Sequence, residues 1–103
     1  MNFTESAGDI SSVKPKLSKV SAKGKKVSLK WKKVSEATGY KVYRSTKKKG
    51  KYTCIKTLKA KTSYTDKKAK KTKTYYYKIC AYKKMDAGVV ISKYSAVKKV
   101  KVK

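Results

Sequence analysis

Hydrophobic residues recur at every second position in several short runs along the chain, and the longest of these runs is Thr74–Tyr82. Successive side chains of a β-strand point to opposite faces of a sheet. One face of this run is apolar or aromatic and is expected in the core: Tyr75, Tyr77, Ile79 and Ala81. The other face is expected to point outward: Tyr76, Lys78, Cys80 and Tyr82. The run therefore predicts the central strand of a sheet.

Shorter runs of the same kind fill most of the chain, and Gly or Lys-rich turns separate them. In Val27–Trp31 every second residue is apolar, so the only Trp of the chain is expected in the core. In the next run Tyr40 and Val42 are expected to point inward. Further strands are predicted near residues 17–22, 51–58, 63–66 and 89–102. Since no window has sustained helical spacing, the pattern predicts an all-β domain of about seven short strands.

The last predicted strand has a break in its alternation. Val97 cannot share one face of a regular strand with both Val100 and Val102, because their positions differ in parity. An extra residue that bulges out of the strand restores the pattern. We therefore expect a β-bulge near Lys98 and Lys99.

Composition divides the chain into a short N-terminal segment and one domain. Residues 1–13 are small, polar and slightly acidic, and they follow neither the strand nor the helix period. They are expected to form a flexible linker. From Lys14 onward Lys recurs every few residues, so the domain is placed at residues 14–103. A chain of 103 residues has room for one domain and no second one.

Four segments carry a family resemblance: Val27–Trp31 with its Trp, Gly39–Tyr43, Ser63–Asp66 and Ala69–Tyr75. In this order they resemble a fibronectin type III domain over about residues 15–103. The likeness is greatest to the Lys-rich bacterial versions that occur as modules of extracellular and cell-wall proteins. The resemblance implies a seven-stranded immunoglobulin-like β-sandwich, with strands one, two and five in a three-stranded sheet packed on a four-stranded sheet of strands three, four, six and seven.

The family usually shows the motif Leu-x-Pro-Gly-x-x-Tyr, whose Tyr forms the tyrosine corner by bonding its hydroxyl to the chain a few residues upstream. The matching segment is Ala69–Tyr75, so the resemblance assigns this role to Tyr75. This sequence has Ala69, Lys71 and Thr72 at the Leu, Pro and Gly positions. A weaker and more mobile corner is expected from these differences.

The implied topology also bears on the two cysteines. Cys54 on strand four and Cys80 on strand six are expected to face outward, with strand three between them. Two inter-strand spacings of about 4.8 Å each separate such residues, which exceeds the reach of a disulfide. Two free thiols are therefore expected.

The chain is strongly basic, with 31 Lys and Arg residues, five Asp and Glu residues and a formal net charge of +26. All of the basic residues except Arg44 are Lys. Lys acts as a hydrated point charge, whereas Arg reads phosphates and bases through its planar fork. The balance therefore favours diffuse attraction to polyanions over specific nucleic-acid recognition. A Lys-rich solvated surface that reflects a Lys-biased proteome explains the same composition.

The residue inventory argues against an enzyme. The chain has no His, no Gly-rich phosphate loop and no pair of acids close in sequence, so acid–base catalysis, a metal site and a cofactor are not expected. Asp66 is expected to cap backbone donors in a turn. No apolar run has the length of a signal peptide or a membrane span. The chain is expected to be either cytoplasmic or a module of a larger secreted protein.

Outward residues of two strands form a candidate ligand-binding face: Lys41, Tyr43, Tyr76, Lys78 and Tyr82, with Tyr94 near the edge. Aromatic rings stack on sugars and ammonium groups attract phosphate and carboxylate, so this face suits an acidic glycan or an anionic cell-wall polymer such as a teichoic acid. The competing interpretation is an ordinary half-exposed sheet face, where Tyr suits the strand and Lys keeps the surface hydrated. Structural roles are assigned to inward residues: Trp31, Tyr40, Tyr75, Tyr77 and Ile79.

Three functions remain open. The resemblance and the charge favour a non-catalytic interaction or spacer module of a larger secreted or cell-surface bacterial protein. Such a module is expected to be monomeric, to lie outside the cell or in the wall, and to adjoin neighbouring domains. The second function is nonspecific nucleic-acid binding, because Lys and aromatic residues interleave on a sheet face. The third is a protein–protein module that offers its edge strand or loop tips to a partner.

Overall fold

A computed structural model of the chain describes Ile10, residues 12–70 and residues 72–102. These residues form eight β-strands and no helix: β1 (Leu17–Lys23), β2 (Lys26–Trp31), β3 (Gly39–Ser45), β4 (Thr53–Lys59), β5 (Ser63–Asp66), β6 (Thr74–Met85), β7 (Gly88–Ile91) and β8 (Lys98–Lys101). Gly24, with a φ of 60°, turns β1 into β2, because Gly adopts this left-handed conformation without strain.

The strands form two antiparallel sheets that pack as a sandwich. The smaller sheet has the order β1-β2-β5, and the larger has the order β4-β3-β6-β7, with β8 also paired to β6. The expected all-β immunoglobulin-like sandwich is confirmed. The larger sheet has five strands rather than four, because the predicted last strand is divided into β7 and β8.

The core lies between the sheets and is built from the inward positions of the strands. β2 shows the simplest alternation, since Val27, Leu29 and Trp31 are buried and the residues between them are exposed. Tyr77 and Ile79 of β6 are fully buried. Burial of apolar surface stabilises a fold by roughly 25 cal/mol per Å², so these positions carry much of the stability. The apolar residues at every second position of the sequence are therefore the ones that point into the core.

The edge of the larger sheet beside β6 is irregular. β7 pairs Ile91 with Tyr82, and β8 pairs Lys98 with Tyr77. Five steps along β6 therefore correspond to seven steps along the edge, so two extra residues are accommodated between β7 and β8. The bulge predicted near Lys98 and Lys99 is wrong in position, because both residues pair regularly with β6.

Two buried serines bridge the gap between β7 and β8. Ser92 N donates to Ala81 O at 2.9 Å, and Ser92 Oγ accepts from Ala81 N at 2.8 Å. Ser95 makes the same two bonds with Ile79, at 2.8 Å and 2.9 Å. Each hydroxyl oxygen replaces a backbone carbonyl as acceptor, so the buried backbone of β6 stays hydrogen-bonded where the edge strand departs from regular pairing.

Two residues that precede the predicted boundary at Lys14 contact the core of the sandwich. Ile10 is 1% exposed and belongs to the hydrophobic core. Val13 packs against that core, and its carbonyl oxygen accepts a hydrogen bond of 3.0 Å from Lys93 N. The linker prediction for residues 1–9 and 11 lies outside the described residues. The core of the sandwich therefore includes an apolar side chain from the segment that was predicted to be a linker.

Cys54 is exposed, Cys80 is buried, and both thiols are free. β3 lies between the strands that carry them, as the resemblance implied. Cys80 lies opposite Lys41 at an outward position of β6, but it is buried there, because the side chain of Tyr43 on the neighbouring strand contacts its thiol. Burial raises the pKa of the Cys80 thiol, against the opposing influence of Lys41 and Tyr43.

Candidate functional site

The outer face of the larger sheet carries aromatic rings grouped around one lysine. Lys78 of β6 pairs in register with Tyr43 of β3. Its Nζ atom lies 4.0 Å from the ring centroid of Tyr94 and 4.4 Å from that of Tyr52. Tyr43 and Tyr94 meet edge to face, with ring centroids 5.2 Å apart. We call Tyr43, Tyr52, Lys78 and Tyr94 the tyrosine cluster.

Two members of the tyrosine cluster come from irregular segments that hydrogen bonds hold in place. Tyr94 lies between Ser92 and Ser95, which are bonded to β6, so its side chain is left exposed over the sheet. Tyr52 precedes β4, and its hydroxyl donates a hydrogen bond of 2.8 Å to Lys48 O in the β3–β4 loop. The loop and the edge of the sheet thus place one ring on each side of the central lysine.

The tyrosine cluster surrounds the ammonium group of Lys78 and contains no carboxylate or imidazole. A cation–π contact contributes about 0.5–1 kcal/mol at an exposed site and more when desolvated, and Lys78 is partly buried. Burial and the neighbouring Tyr94 raise the pKa of Tyr43. Burial and the neighbouring Tyr76 raise the pKa of Tyr52. These two hydroxyls stay protonated at neutral pH, so the cluster offers a ligand ring faces, neutral hydroxyls and one ammonium group.

The other residues of the predicted ligand face flank the tyrosine cluster. Tyr76 lies opposite Ser45, and Lys41 lies opposite Cys80. The ring of Tyr82 packs over Gly39, where an added Cβ would come within 2.7 Å of the ring. Tyr82 is four residues from the central lysine along β6, or about 13 Å. The structure therefore brings two of the five predicted residues together and arranges the other three along the same face.

Tyr52 was not among the predicted ligand residues. A signal for it was present in the alternation, because Tyr52 and the outward Cys54 are two residues apart. Tyr52 also precedes the first residue of β4, where a strand pattern has little predictive value. Tyr94 was expected near the edge of the face, and the structure places it in contact with Lys78.

The described residues lack the groupings that mark metal sites and membrane-spanning helices. Within Ile10, residues 12–70 and residues 72–102, no three His, Cys, Asp or Glu side chains are arranged to hold a metal ion. In the same part of the chain, no helix has the length and apolarity needed to cross a membrane. Recognition by ring faces and charge is the chemistry that the outer face of the larger sheet can supply.

The sandwich is similar to several solved structures. A Fn3-like protein from Clostridium thermocellum has a TM-score of 0.75 and 31% identity, and the match covers 86% of this chain and 91% of that protein. The chain belongs to the fibronectin type III family. A fibronectin type III domain of human fibronectin type III domain containing protein 3 is similar with a TM-score of 0.68 and 23% identity, over 95% of this chain and 92% of that one.

The fibronectin type III domain also resembles part of a larger chain. A beta-1,2-glucanase from Parabacteroides distasonis has a TM-score of 0.74 and 24% identity, and the match covers 85% of this chain but 12% of the glucanase. Most of the similar structures are fibronectin type III domains, which are generally non-catalytic and typically sit beside other domains of a larger protein. Neither a protein-family model nor a curated protein matches the sequence.

The tyrosine corner of this fibronectin type III domain is formed by Tyr75. Its ring is 4% exposed, and its hydroxyl accepts a hydrogen bond of 3.0 Å from Lys70 N. Thr72, which stands where the family usually has Gly, has a φ of 62°. The corner therefore keeps a left-handed backbone that costs an L-residue roughly 1–2 kcal/mol. The expected greater mobility of this corner stays a prediction.

Tyr40, another of the residues with a predicted structural role, is anchored in the same way as Tyr75. The Tyr40 ring is buried, and its hydroxyl accepts a hydrogen bond of 2.7 Å from Val34 N. Trp31 packs against Tyr40 with ring centroids 5.6 Å apart. Because a buried phenol needs a partner, these tyrosines tie loop backbone to the core as well as filling it.

Asp66 lies at the end of β5 and joins the two sheets of the domain. Its Oδ1 accepts a hydrogen bond of 3.0 Å from Lys68 N, which is the expected turn cap. Its Oδ2 accepts bonds of 2.7 Å from both Arg44 Nη1 and Tyr77 Oη. Burial opposes ionisation of Asp66, but the bonds from Tyr77, Lys68 and Arg44 outweigh it and hold the pKa of the carboxyl below its ordinary value.

Proposed function

We propose that this fibronectin type III domain is a non-catalytic interaction or spacer module of a larger secreted or cell-surface bacterial protein. Its Lys-rich surface holds the module against anionic cell-wall polymers or glycans, and the tyrosine cluster is the contact face. The observation that carries the proposal is the partly buried Lys78 held between the rings of Tyr52 and Tyr94.

The tyrosine cluster supports this proposal through shape and chemistry. Three rings lie on the outer face of the larger sheet, those of Tyr43, Tyr52 and Tyr94. Lys78 lies at the centre of this group of rings. Rings of this kind stack on the faces of sugars, while the ammonium group attracts phosphate or carboxylate. A polymer that alternates sugar or polyol units with anionic groups suits both features at once.

Net charge supports the electrostatic part of the proposal. The chain carries a formal charge of +26, which raises the local concentration of any polyanion and speeds encounter with it. Among the described residues, the ion pairs are Arg44–Asp66 and Lys83–Glu36. Most lysines therefore have no carboxylate partner within the domain and remain able to attract an external anion.

The non-catalytic part of the proposal rests on the residues that the chain contains and on the solved structures that it resembles. The chain has no His, and its deeply buried carboxyl, Asp66, is occupied by three hydrogen-bond donors. The similar protein from Clostridium thermocellum is a Fn3-like protein, and this chain matches 91% of it. In the similar glucanase, the matched region is a small part of a longer chain, which supports a role as an accessory module.

The experiment is co-sedimentation of the domain with purified bacterial cell wall. Binding is expected at low salt and is expected to fall away near 0.5 M NaCl, where the screening length is roughly 4 Å. The double variant Lys41→Gln/Lys78→Gln removes two charges from the outer face. The matched control, Lys19→Gln/Lys30→Gln, removes the same charge from exposed positions of the smaller sheet.

The outer-face variant is expected to lose more binding than its control. Equal losses would show that the charge acts diffusely and that the tyrosine cluster is not the contact face. Undetectable or salt-insensitive binding would reject the electrostatic part and leave a spacer. Equally tight binding to single-stranded DNA at the same salt would show a preference for polyanions in general and not for wall polymer.

A further inference from the structure

A second surface feature, separate from the tyrosine cluster, is a cleft of about 350 Å³ beside the tyrosine corner. Four cationic side chains line it: Arg44, Lys51, Lys70 and Lys73. Thr46 and Thr53, which carry hydroxyl groups, also line it. Cations and hydroxyl donors around one concavity are the groups that bind tetrahedral oxyanions in proteins.

Arg44 is the only Arg in a chain whose other basic residues are all Lys, and it is fixed in place. Its Nη1 atom is bonded to Asp66 at 2.7 Å, and its guanidinium carbon lies 5.1 Å from the ring centroid of Tyr75. A guanidinium has five N–H donors in a rigid fork, so donors remain for a second anion. Holding a donor rigidly through its neighbours lowers the entropy lost on binding.

The lysines of the cleft add charge without an internal partner. Among the described residues, neither of the two ion pairs involves Lys51, Lys70 or Lys73. The backbone of Lys70 is held by the hydroxyl of Tyr75. The corner therefore positions both the Arg44 stacking partner and one of the lysines.

Another concavity shows what a cleft on a Lys-rich surface looks like without this arrangement. It lies at the β1–β2 turn and is lined by Lys23, Lys25, Lys26 and Lys67 together with Gly24, Ser28 and Thr65. It contains no Arg and no carboxylate or aromatic side chain that would orient its lysines. The cleft beside the tyrosine corner differs from this concavity because it contains an Arg that neighbouring side chains hold in place.

We propose that the cleft beside the tyrosine corner binds a phosphate group, free or esterified, with Arg44 as its fixed hydrogen-bond donor and the three lysines as its charge. This site adds a specific anion contact to the proposed module and does not depend on the tyrosine cluster. Loss of wall binding through the outer face would leave it intact.

The test is a titration of the isotope-labelled domain, followed by amide NMR shifts, at constant ionic strength. Inorganic phosphate and glycerol phosphate are the probes, with sodium chloride and glycerol as controls. Both phosphates are expected to shift the amides of Arg44, Thr53 and Lys70 to saturation. Tenfold tighter binding of glycerol phosphate would identify an esterified source, and tenfold tighter binding of inorganic phosphate would identify free phosphate.

Two variants separate the site from general charge. Lys70→Gln/Lys73→Gln leaves the Arg44–Asp66 pair untouched and is expected to weaken phosphate binding about tenfold, the effect of losing one charge-assisted hydrogen bond. Arg44→Lys keeps the charge, loses the fork and is expected to weaken binding similarly. The control Lys23→Gln/Lys25→Gln is expected to change it less than about twofold. Equal weakening in the control, or shifts spread over all lysines, would overturn the proposal.

Discussion

Arg44 of β3 donates a hydrogen bond of 2.7 Å to Asp66 of β5, and this ion pair links the two sheets of the sandwich. The Asp66 side chain is 2% exposed, whereas that of Arg44 is 25% exposed. The carboxylate is therefore the desolvated partner, and its stability in the core depends on the donors around it. Removing one partner of such a pair is strongly destabilising, because a buried charge is left uncompensated.

The Asp66 carboxylate makes the stability of the domain sensitive to acid. Its pKa is held below the ordinary value of 3.8 in the folded protein. Its ionisation therefore stabilises the fold above about pH 4, and this contribution is lost as the pH falls through the folded pKa. Denaturant unfolding at a series of pH values is expected to show this loss. Asp66→Asn is expected to reduce this acid-dependent loss of stability. At neutral pH it is expected to lower the free energy of unfolding by about 1–3 kcal/mol.

The exposed Asp86 supplies the control for that experiment. Asp86→Asn is expected to leave both the stability at neutral pH and the acid-dependent loss nearly unchanged, because surface substitutions usually act within about 0.5 kcal/mol. An Asp66→Asn variant with the same acid dependence as the unmodified domain would contradict the role given to Asp66.

The two faces of β6 are expected to respond differently to substitution. Tyr77 is fully buried, and Tyr77→Ala is expected to cost about 3–5 kcal/mol, as for other large aromatic truncations. Tyr76→Thr and Lys78→Thr change half-exposed positions to another strand-forming residue and are expected to cost less than about 1 kcal/mol each. Denaturant unfolding measures both. Similar losses at Tyr76 and Tyr77 would mean that the strand has no distinct inner and outer faces.

Much of the sandwich was predictable because alternation depends only on the geometry of a strand. The inward positions Val27, Leu29, Tyr77 and Ile79 follow directly from it. Arg44 has the parity of the inward Tyr40 and Val42, although no position was assigned to it from the sequence. Its pairing with Asp66 was not predictable, because a pattern along one strand says nothing about which residue of the opposite sheet it meets.

The candidate sites were harder to predict, because they depend on irregular backbone. Tyr94 reaches Lys78 only because Ser92 and Ser95 bond to β6 through their side chains. Tyr52 is held by a hydrogen bond within a loop. The parity that Tyr52 shares with Cys54 is visible in the sequence, but the hydrogen bonds that place Tyr52 and Tyr94 beside Lys78 have no periodic signal. The same holds for the cleft, whose walls come from separate segments.

The Ser92 and Ser95 hydroxyls are expected to matter more than surface serines do. Removing either oxygen leaves a buried N–H of β6, at Ala81 or Ile79, without its acceptor. Ser92→Ala and Ser95→Ala are each expected to cost about 1–3 kcal/mol. Ser21→Ala, at an exposed position of β1, is the matched control and is expected to cost little. Thermal unfolding that gave equal shifts for all three would contradict the bridging role.

The two thiols are expected to react at very different rates. Iodoacetamide is expected to alkylate Cys54 in the native domain, because this thiol is exposed, and to reach Cys80 only after unfolding, because burial raises its pKa and blocks access. Mass measurement after timed quenching counts the modifications. The variant Cys54→Ala is expected to take up no label until denaturant is added. A loss of two hydrogens under oxidising conditions would instead reveal a disulfide within the chain.

Thr72 gives the chain a position where a single substitution is expected to raise stability. Its φ of 62° lies in the left-handed region, which costs a β-branched residue roughly 1–2 kcal/mol relative to Gly. Thr72→Gly relieves this cost but increases the entropy of the unfolded chain by roughly 0.4–1 kcal/mol, so a net gain of about 0.5–1 kcal/mol is expected. Thr74→Gly, two residues later in regular strand, is expected to destabilise by a similar amount. Denaturant unfolding with the same sign for both variants would mean that the backbone of Thr72 is not strained.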